Sequence, residues 1–458
     1  MNAEEQRTYR LVAVRILPVL FIAHFLLQFD RINVGFAALQ MNTALRFGPE
    51  TFGLGVGIFF VGYALFEIPS NLLLHRMGAP LWIARIMVTW GLLSCAMAFV
   101  SNATTFYLLR FFLGVAEAGF TPGVLYYVSL WFTRRSLSSA NGVWSAASPL
   151  AGVLVGPVSG LLLSVHMLGI EGWRWMFVVE GVPTVVFGCF LYWMLPRGVE
   201  HASWLPDASR QFLMAELAHE RSTTSRPQET QFLRSLKSFK VWVYALTYFA
   251  LLSGVYALFF WLPQIVKASA AHLSNASIGW ISALPFLFGV VLLLTVPRFS
   301  DRTGDRRWHL VVLAALAGAS LYASTIAANP VLAYAAIVVA VGSSFCYMAI
   351  FWNGPAAALS GAAAAGGFAL INSVGNIGGF LGPYTFGLMR GATGSFSAGL
   401  AWFSAFFAVA AIVPLVLPNR FPAGRSETRP RPDATDHAVS AMRHSSRLDP
   451  LNGEVHDH

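Results

Sequence analysis

The sequence predicts an all-α integral membrane protein with twelve transmembrane helices in two pseudo-symmetric, six-helix halves. Three observations predict it. Of 458 residues, 56% are hydrophobic and only 11% charged, and the mean hydropathy of +0.61 lies outside the range of soluble globular chains. Twelve apolar runs are each long enough, at ~1.5 Å per residue, to cross the hydrocarbon of a bilayer. An offset of 226 residues relates the first half of the chain to the second.

The polar N-terminus, MNAEEQRTYRLVAVR, leads into a first apolar run over 16–39. That run is too long for a signal peptide and has no clear small-residue cleavage site, so the first span is expected to stay attached. Further spans follow at 52–75, 81–100, 104–131, 139–166 and 174–195, which completes an N-terminal six-helix bundle over 1–195. Residues 196–239 form a charged gap with one amphipathic helical segment around 208–221, expected to be a cytoplasmic central loop. The second six-helix bundle, 240–417, carries spans at 240–266, 277–297, 308–327, 331–352, 363–389 and 396–417. The tail, 418–458, is rich in Arg, Pro, Ser, Asp and His and is expected to be disordered. Its His437, His444, His456 and His458 are too loosely spaced to make a metal site, and neither a metal nor a cofactor is expected.

The net charge of +9 does not point to nucleic acid, because the basic residues cluster in short segments between apolar runs. Segments on one side hold only Arg46, Arg174, Lys267 and Arg390, whereas the other side holds Arg7, Arg10, Arg76, Arg134, Arg135, Arg298, Arg302, Arg306, Arg307 and the basic residues of the central loop. The positive-inside bias then makes both termini cytoplasmic in a multi-pass inner (plasma) membrane protein. Cys95, Cys189 and Cys346 all fall within apolar runs and read as small buried side chains rather than a disulfide framework. The repeat is visible in the short polar segments: His75-Arg76-Met77-Gly78 after the second span and Asp301-Arg302-Thr303-Gly304-Asp305-Arg306-Arg307 after the eighth are 226 residues apart. The same offset carries Arg15 to Val241. Half-protein repeats of this size are what transporters rock about a central site.

Within the apolar runs stand four ionisable residues: Asp30 and Arg31 in the first span, Arg110 and Glu117 in the fourth. A charge near the bilayer centre costs at least about 2.5 to 3.5 kcal/mol, so such residues call for a use. The seven-residue spacing of Arg110 and Glu117 is about two helical turns, which puts both on one face, ~10 Å apart, looking into one cavity. Asp30 and Arg31 diverge by ~100° and do not cancel face to face. A guanidinium is a planar fork that fits a carboxylate, so Arg31 and Arg110 are candidate anion holders, or else they lock helices by pairing with carboxylates. Asp30 and Glu117 are candidate proton carriers, since a carboxyl in a cavity that alternately wets and dries can take up and release protons; for Asp30 the alternative is an ion pair with another helix. Tyr63 and Tyr256 are candidates to hydrogen-bond substrate oxygens, Tyr256 at the repeat offset from Asp30, or else pack with one satisfied hydroxyl each, and Gln28 is a weaker candidate. Asn372 and Asn376 share a face of the eleventh span beside Gly375, Gly378, Gly379 and Gly382, and either bind substrate or bridge helices. Glu67, Glu180 and Asn353 lie nearer span ends and read as structural.

The Asp-Arg-x-Gly-x-Arg-Arg run after the eighth span resembles a signature of the major facilitator superfamily. Phe29 through Ala37, Glu67-Ile68-Pro69-Ser70-Asn71, Trp82 through Ile86 and Gly366 through Gly379 resemble, more narrowly, its anion:cation symporter family. His75 and Pro80 depart from the pattern in the first half, where an Asp and a basic residue are usual. The resemblance implies the major facilitator fold and a monomeric secondary transporter that imports an organic carboxylate (a sugar acid, a tartrate-like or an aromatic acid) together with protons. It also implies substrate binding by Arg31, Arg110, Tyr63, Tyr256, Asn376, Asn372 and Gln28, proton coupling by Asp30 and Glu117, and gating by Asp301, Arg302, Gly304 and Arg306. An alternative is a proton-coupled antiporter exporting a drug or metabolite, since Gly152, Gly156, Pro157 and Gly160 partly match an antiporter pattern that Leu161 leaves unfinished. An enzyme is disfavoured, because no nucleophile with a neighbouring base, His-rich cluster or phosphate loop occurs. A transporter-like sensor would need a signalling domain larger than the central loop.

Overall fold

The computed structural model describes residues 3–223, 237–303, 306–359 and 362–416. The helices are α1 (Ala3–Ala44), α2 (Pro49–Met77), α3 (Ala79–Ala96), α4 (Ala103–Glu117), α5 (Phe120–Ser129), α6 (Arg134–Ser145), α7 (Ala147–Leu162), α8 (Gly172–Met194) and α9 (Asp207–Thr223), then α10 (Phe239–Ser269), α11 (Asn275–Thr303), α12 (Arg306–Ile326), α13 (Pro330–Phe351), α14 (Asn353–Ala358), α15 (Ala362–Thr393) and α16 (Ser397–Val416). Among the described residues, eleven helical stretches are long and apolar enough to cross a membrane, with α4–α5, α6–α7 and the start of α14 after α13 counted as continuous spans. The twelfth long helix is α15, 32 residues, whose glycines and asparagines dilute its hydropathy. Twelve spans in two sets of six follow.

Helix starts are written in the sequence. Asn102 caps α4 by accepting from the Thr105 amide at 2.9 Å, while Thr105 Oγ1 accepts from the Asn102 amide at 3.2 Å, a capping box that satisfies two otherwise bare donors. Pro49 and Pro330 sit in the first turns of α2 and α13, where a missing amide hydrogen costs nothing.

The fourth span is broken directly after Glu117. Ala118 leaves the helical conformation and Gly119 takes φ +88°, a region closed to most side chains, before α5 resumes at Phe120. The break is held from outside: Ser70 Oγ donates to the Ala118 carbonyl at 2.6 Å and accepts from Trp82 Nε1 at 3.0 Å. Polar groups freed by the break therefore find partners on α2 and α3, as irregular backbone at membrane depth requires.

The two halves meet along two seams, α2 on α15 and α7 on α11. A Cβ added at Gly53 would lie 2.6 Å from the Pro383 carbonyl oxygen, and one at Gly279 would lie 2.2 Å from that of Gly156. Backbones approach here as only glycine permits. The seams obey the sequence repeat, since 226 residues separate Gly53 from Gly279 and Pro157 from Pro383. Both lie near Pro49 and Asn275, at the end of the molecule opposite the segment between α8 and α10. The glycines of α7 that resembled an antiporter pattern thus serve a helix contact.

The amphipathic segment expected around 208–221 is α9, which buries Leu213 and Leu217 against the first half. Thr8 Oγ1 donates to Ser209 Oγ at 2.9 Å and the Tyr9 hydroxyl to Glu216 at 3.2 Å, which fastens it to the start of α1. The cysteines are all free; Cys346 is buried and Cys95 half-buried, but Cys189 is exposed on α8, so its apolar surroundings in sequence are an outward face rather than a core. The tail histidines and Gly304 lie outside the described residues, as do the side chains of Asp301, Arg302 and Arg306.

Candidate functional site

Arg31, in the middle of α1, points between the halves. Its Nη2 lies 2.6 Å and its Nε 3.2 Å from Glu117 Oε2, and the pair joins α1 to the end of α4. Glu117 is fully buried, while 12% of the Arg31 side chain remains exposed. The other carboxylate oxygen, Glu117 Oε1, is buried with no hydrogen-bond partner.

Arg110 does not join this pair. It is buried, its Nε and Nη2 each 3.3 Å from the carbonyl oxygens of Gly55 and Val56 on α2. Among the described residues no carboxylate forms an ion pair with it. The reason is the expected spacing itself: two helical turns set Arg110 and Glu117 ~10 Å apart, and each finds a nearer partner on another helix. The Phe59 ring is shared by both guanidiniums, with Arg31 Cζ 5.3 Å and Arg110 Cζ 4.9 Å from its centroid. Tyr63, one turn along α2 from Phe59, places its ring 5.6 Å from Arg31 Cζ.

Asp30 faces away from all of these. Its Oδ2 accepts from Trp90 Nε1 at 2.8 Å and Thr184 Oγ1 at 2.9 Å, and Oδ1 from Ser94 Oγ at 3.4 Å, so it sits buried among α1, α3 and α8. The ~100° between successive helix positions sends Arg31 to the midline and Asp30 into the first half. The expectation that Arg110 and Glu117 look into one cavity is therefore corrected: Arg31 and Glu117 are together, and Arg110 and Asp30 occupy separate polar nests. Glu180, a turn from Thr184, is buried too, accepting from Ser159 Oγ at 2.7 Å and Asn33 Nδ2 at 2.9 Å.

A cavity lies at the midline beside Arg31. Gln28, Arg31, Ile32 and Ser148 line it from the first half, and Val255, Tyr256, Phe259, Phe260, Phe345 and Met348 from the second. It is narrow here, about 20 Å³ for the centre of a water-sized sphere, room for about one water. Gln28 Nε2 donates to Ser148 Oγ at 2.7 Å. The opposite wall is aromatic: Phe259 and Phe345 stack with centroids 5.0 Å apart, and Tyr256 and Phe260 at 6.0 Å.

Arg31, Gln28 and Tyr256 thus meet at one cavity, with Glu117 behind Arg31. Asn372 and Asn376 do not line it: Asn372 Nδ2 reaches Glu67 Oε1 at 3.3 Å across the halves, and Asn376 is buried one turn further along α15. Glu67, read as structural, bridges the two halves. Ser148, Phe59, Phe259, Phe345 and Met348 were missed. Phenylalanines and a serine in apolar runs carry no signal of which face meets the other half; only the Phe59–Tyr63 spacing of one turn hinted at a shared face. Among the described residues no group of His, Cys, Asp or Glu could hold a metal ion.

The sequence profile described as Major Facilitator Superfamily matches residues 20–383. A "Putative tartrate transporter" of Agrobacterium vitis is 42% identical over 433 residues, 94% of this chain and 99% of that protein. A "Quinolone resistance transporter" of Acinetobacter baumannii is 40% identical, covering 87% of this chain and 92% of that one. Among solved structures, the partially occluded inward-open xylose transporter XylE from E. coli superposes with a TM-score of 0.71 at 13% identity, over 89% of this chain and 98% of that chain.

Proposed function

Since this chain belongs to the Major Facilitator Superfamily, and is therefore a multi-pass membrane transporter rather than an enzyme, we propose that it imports an organic carboxylate by proton symport with alternating access. The observation that carries this is the Arg31–Glu117 pair: the one guanidinium at the midline cavity is already gripped by a carboxylate of the protein. An anionic substrate and Glu117 compete for the same fork. A proton on Glu117, for which the unpartnered Oε1 is the open position, neutralises the internal competitor and leaves Arg31 for the substrate. Loss of that proton lets Glu117 recapture Arg31 and expel the anion. Coupling is this exchange of partners.

Arg110, one ring behind Arg31, adds a fixed positive charge. With Glu117 ionised the charge of Arg31 is balanced; with Glu117 protonated it is left for an anion. Tyr256 and Gln28 supply hydrogen bonds at the cavity wall, and Tyr63 stacks beneath Arg31. Asn372 serves the contact between halves near the path, with Asn376 one turn along the same helix, and Asp301, Arg302, Gly304 and Arg306 serve as the gating segment that follows the eighth span in sequence. The arginine-rich end, with both termini, faces the cytoplasm of the inner membrane. The glycine seams then close the outer side. The transporter acts as a monomer, each chain having its own pair of halves.

The test is transport by the purified protein in proteoliposomes. Glu117→Gln is expected to keep substrate exchange and to lose accumulation driven by a pH gradient; undiminished accumulation in that variant removes Glu117 from the coupling role.

A second reading, a proton antiporter exporting a drug or metabolite, draws support from the relative named for quinolone resistance. The direction of net flux separates the two. Outward movement of a cationic compound driven by an inward proton gradient would favour export.

A further inference from the structure

We infer that the substrate is a monocarboxylate with an aromatic body rather than a hydroxylated dicarboxylate; this rests on the anion-symport reading above. The two walls of the midline cavity differ in chemistry. The first half contributes one cation, Arg31, with the Gln28–Ser148 pair beside it, and the second contributes Phe259, Phe345 and Tyr256. Among the described residues only one guanidinium lines the cavity, because Arg110 is turned to the carbonyls of Gly55 and Val56.

A substrate carboxylate matches that single fork. A second carboxylate on the same small molecule would be carried against stacked rings with no counter-charge, and a buried unpaired carboxylate is among the most unfavourable groups to place in an apolar wall. A chain of hydroxyls finds few partners, since the aromatic wall offers the one hydroxyl of Tyr256 and the facing wall offers Gln28 and Ser148, which are already bonded to each other. A flat apolar ring meets no such obstacle. It can join the stack that Phe259 and Phe345 already form, and aromatic contacts of that kind contribute beyond the area they bury. Separation of the halves widens the seat without changing which wall carries the charge. The inference therefore departs from the tartrate named for the 42%-identical relative.

The experiment is a thermal-shift titration of the purified protein with benzoate, tartrate and gluconate as probes, because a ligand that binds the folded state raises its apparent stability. Benzoate is expected to raise the transition temperature at concentrations where tartrate and gluconate leave it unchanged. Arg31→Ala is expected to abolish the benzoate shift, and Phe345→Leu, which keeps an apolar side chain, to weaken benzoate by about 2- to 10-fold. A shift with tartrate or gluconate but none with benzoate overturns the aromatic class and leaves organic-anion transport standing. A benzoate shift unaltered by Phe345→Leu and by Phe259→Leu also overturns it, by removing the aromatic wall from recognition. No shift with any of the three acids counts against the anion reading itself, and the inference falls with it.

Discussion

Arg31 and Glu117, 86 residues apart in sequence, form a hydrogen-bonded ion pair with 2.6 Å between Nη2 and Oε2, and only the arginine keeps contact with the cavity. One partner of the pair is thus reachable by a ligand and the other is sealed behind it. Under the proposed symport, that asymmetry would let a proton and an anion act on the same bond from opposite sides.

Arg31→Lys tests the fork. Lysine keeps the charge but cannot present Nε and Nη2 together, so the loss of a charge-assisted bond is expected to remove about 1.5–3 kcal/mol of anion binding, or about 10- to 150-fold in affinity. A binding titration of the purified variant measures it. An unchanged affinity would mean that only the charge matters.

Trp90→Phe tests the Asp30 nest. The indole donates to Asp30 at 2.8 Å and is fully buried, so the variant leaves a buried carboxyl oxygen short of a donor, at an expected cost of about 1–3 kcal/mol. Thermal unfolding in detergent reads this directly. Trp82→Phe, which loses a donor to Ser70 instead, makes a comparison of the same size outside that nest.

Gly119→Ala tests the break in the fourth span. Alanine at φ +88° costs about 1–2 kcal/mol, and its Cβ would stand 2.2 Å from Ser70 Oγ, so the hydroxyl that holds the Ala118 carbonyl must move. Expected outcomes are lower thermal stability and impaired transport, because Glu117 immediately precedes the break. Ser70→Ala combined with Gly119→Ala removes the nearer of two close contacts and leaves Ser70 Cβ 2.8 Å from the new methyl, so the double variant should lose less than the sum of the singles while staying below the wild-type stability.

Gly279→Leu tests the seam. A side chain placed where Cβ already meets the Gly156 carbonyl forces α7 and α11 apart, so the closed end should open. Maleimide labelling of Gln264→Cys, placed beside Asn42 at that end, is expected to be faster in the Gly279→Leu background. Equal labelling rates would mean that the seam does not set closure.

The fold was legible because hydropathy reports span length directly, and the 226-residue offset that related two polar segments also relates Gly53 to Gly279 and Pro157 to Pro383 in the seams. The span that hydropathy identifies least clearly, α15, is long but rich in Gly and Asn. Within the site, sequence could say that Arg31, Glu117, Arg110 and Asp30 were out of place in lipid, but not which would meet. Helical spacing fixes neighbours on one helix, whereas Arg31 reaches Glu117 across two, and Arg110 is satisfied by main-chain carbonyls that no residue type announces. The aromatic wall was invisible for a related reason: Phe259 and Phe345 are ordinary apolar residues until the opposite half gives one of their faces a charged neighbour.

The glycine seams have a mechanical consequence. Surfaces joined by interlocking side chains must disengage knob by knob, with each rotamer adding friction; two bare backbones in contact have nothing to unthread. At Gly53–Gly387 and Gly156–Gly279 the helices meet backbone to backbone and can part there without a rotamer change, whereas the rings of Phe286 on Gly152 and Phe380 on Gly57 are the side chains that have to turn.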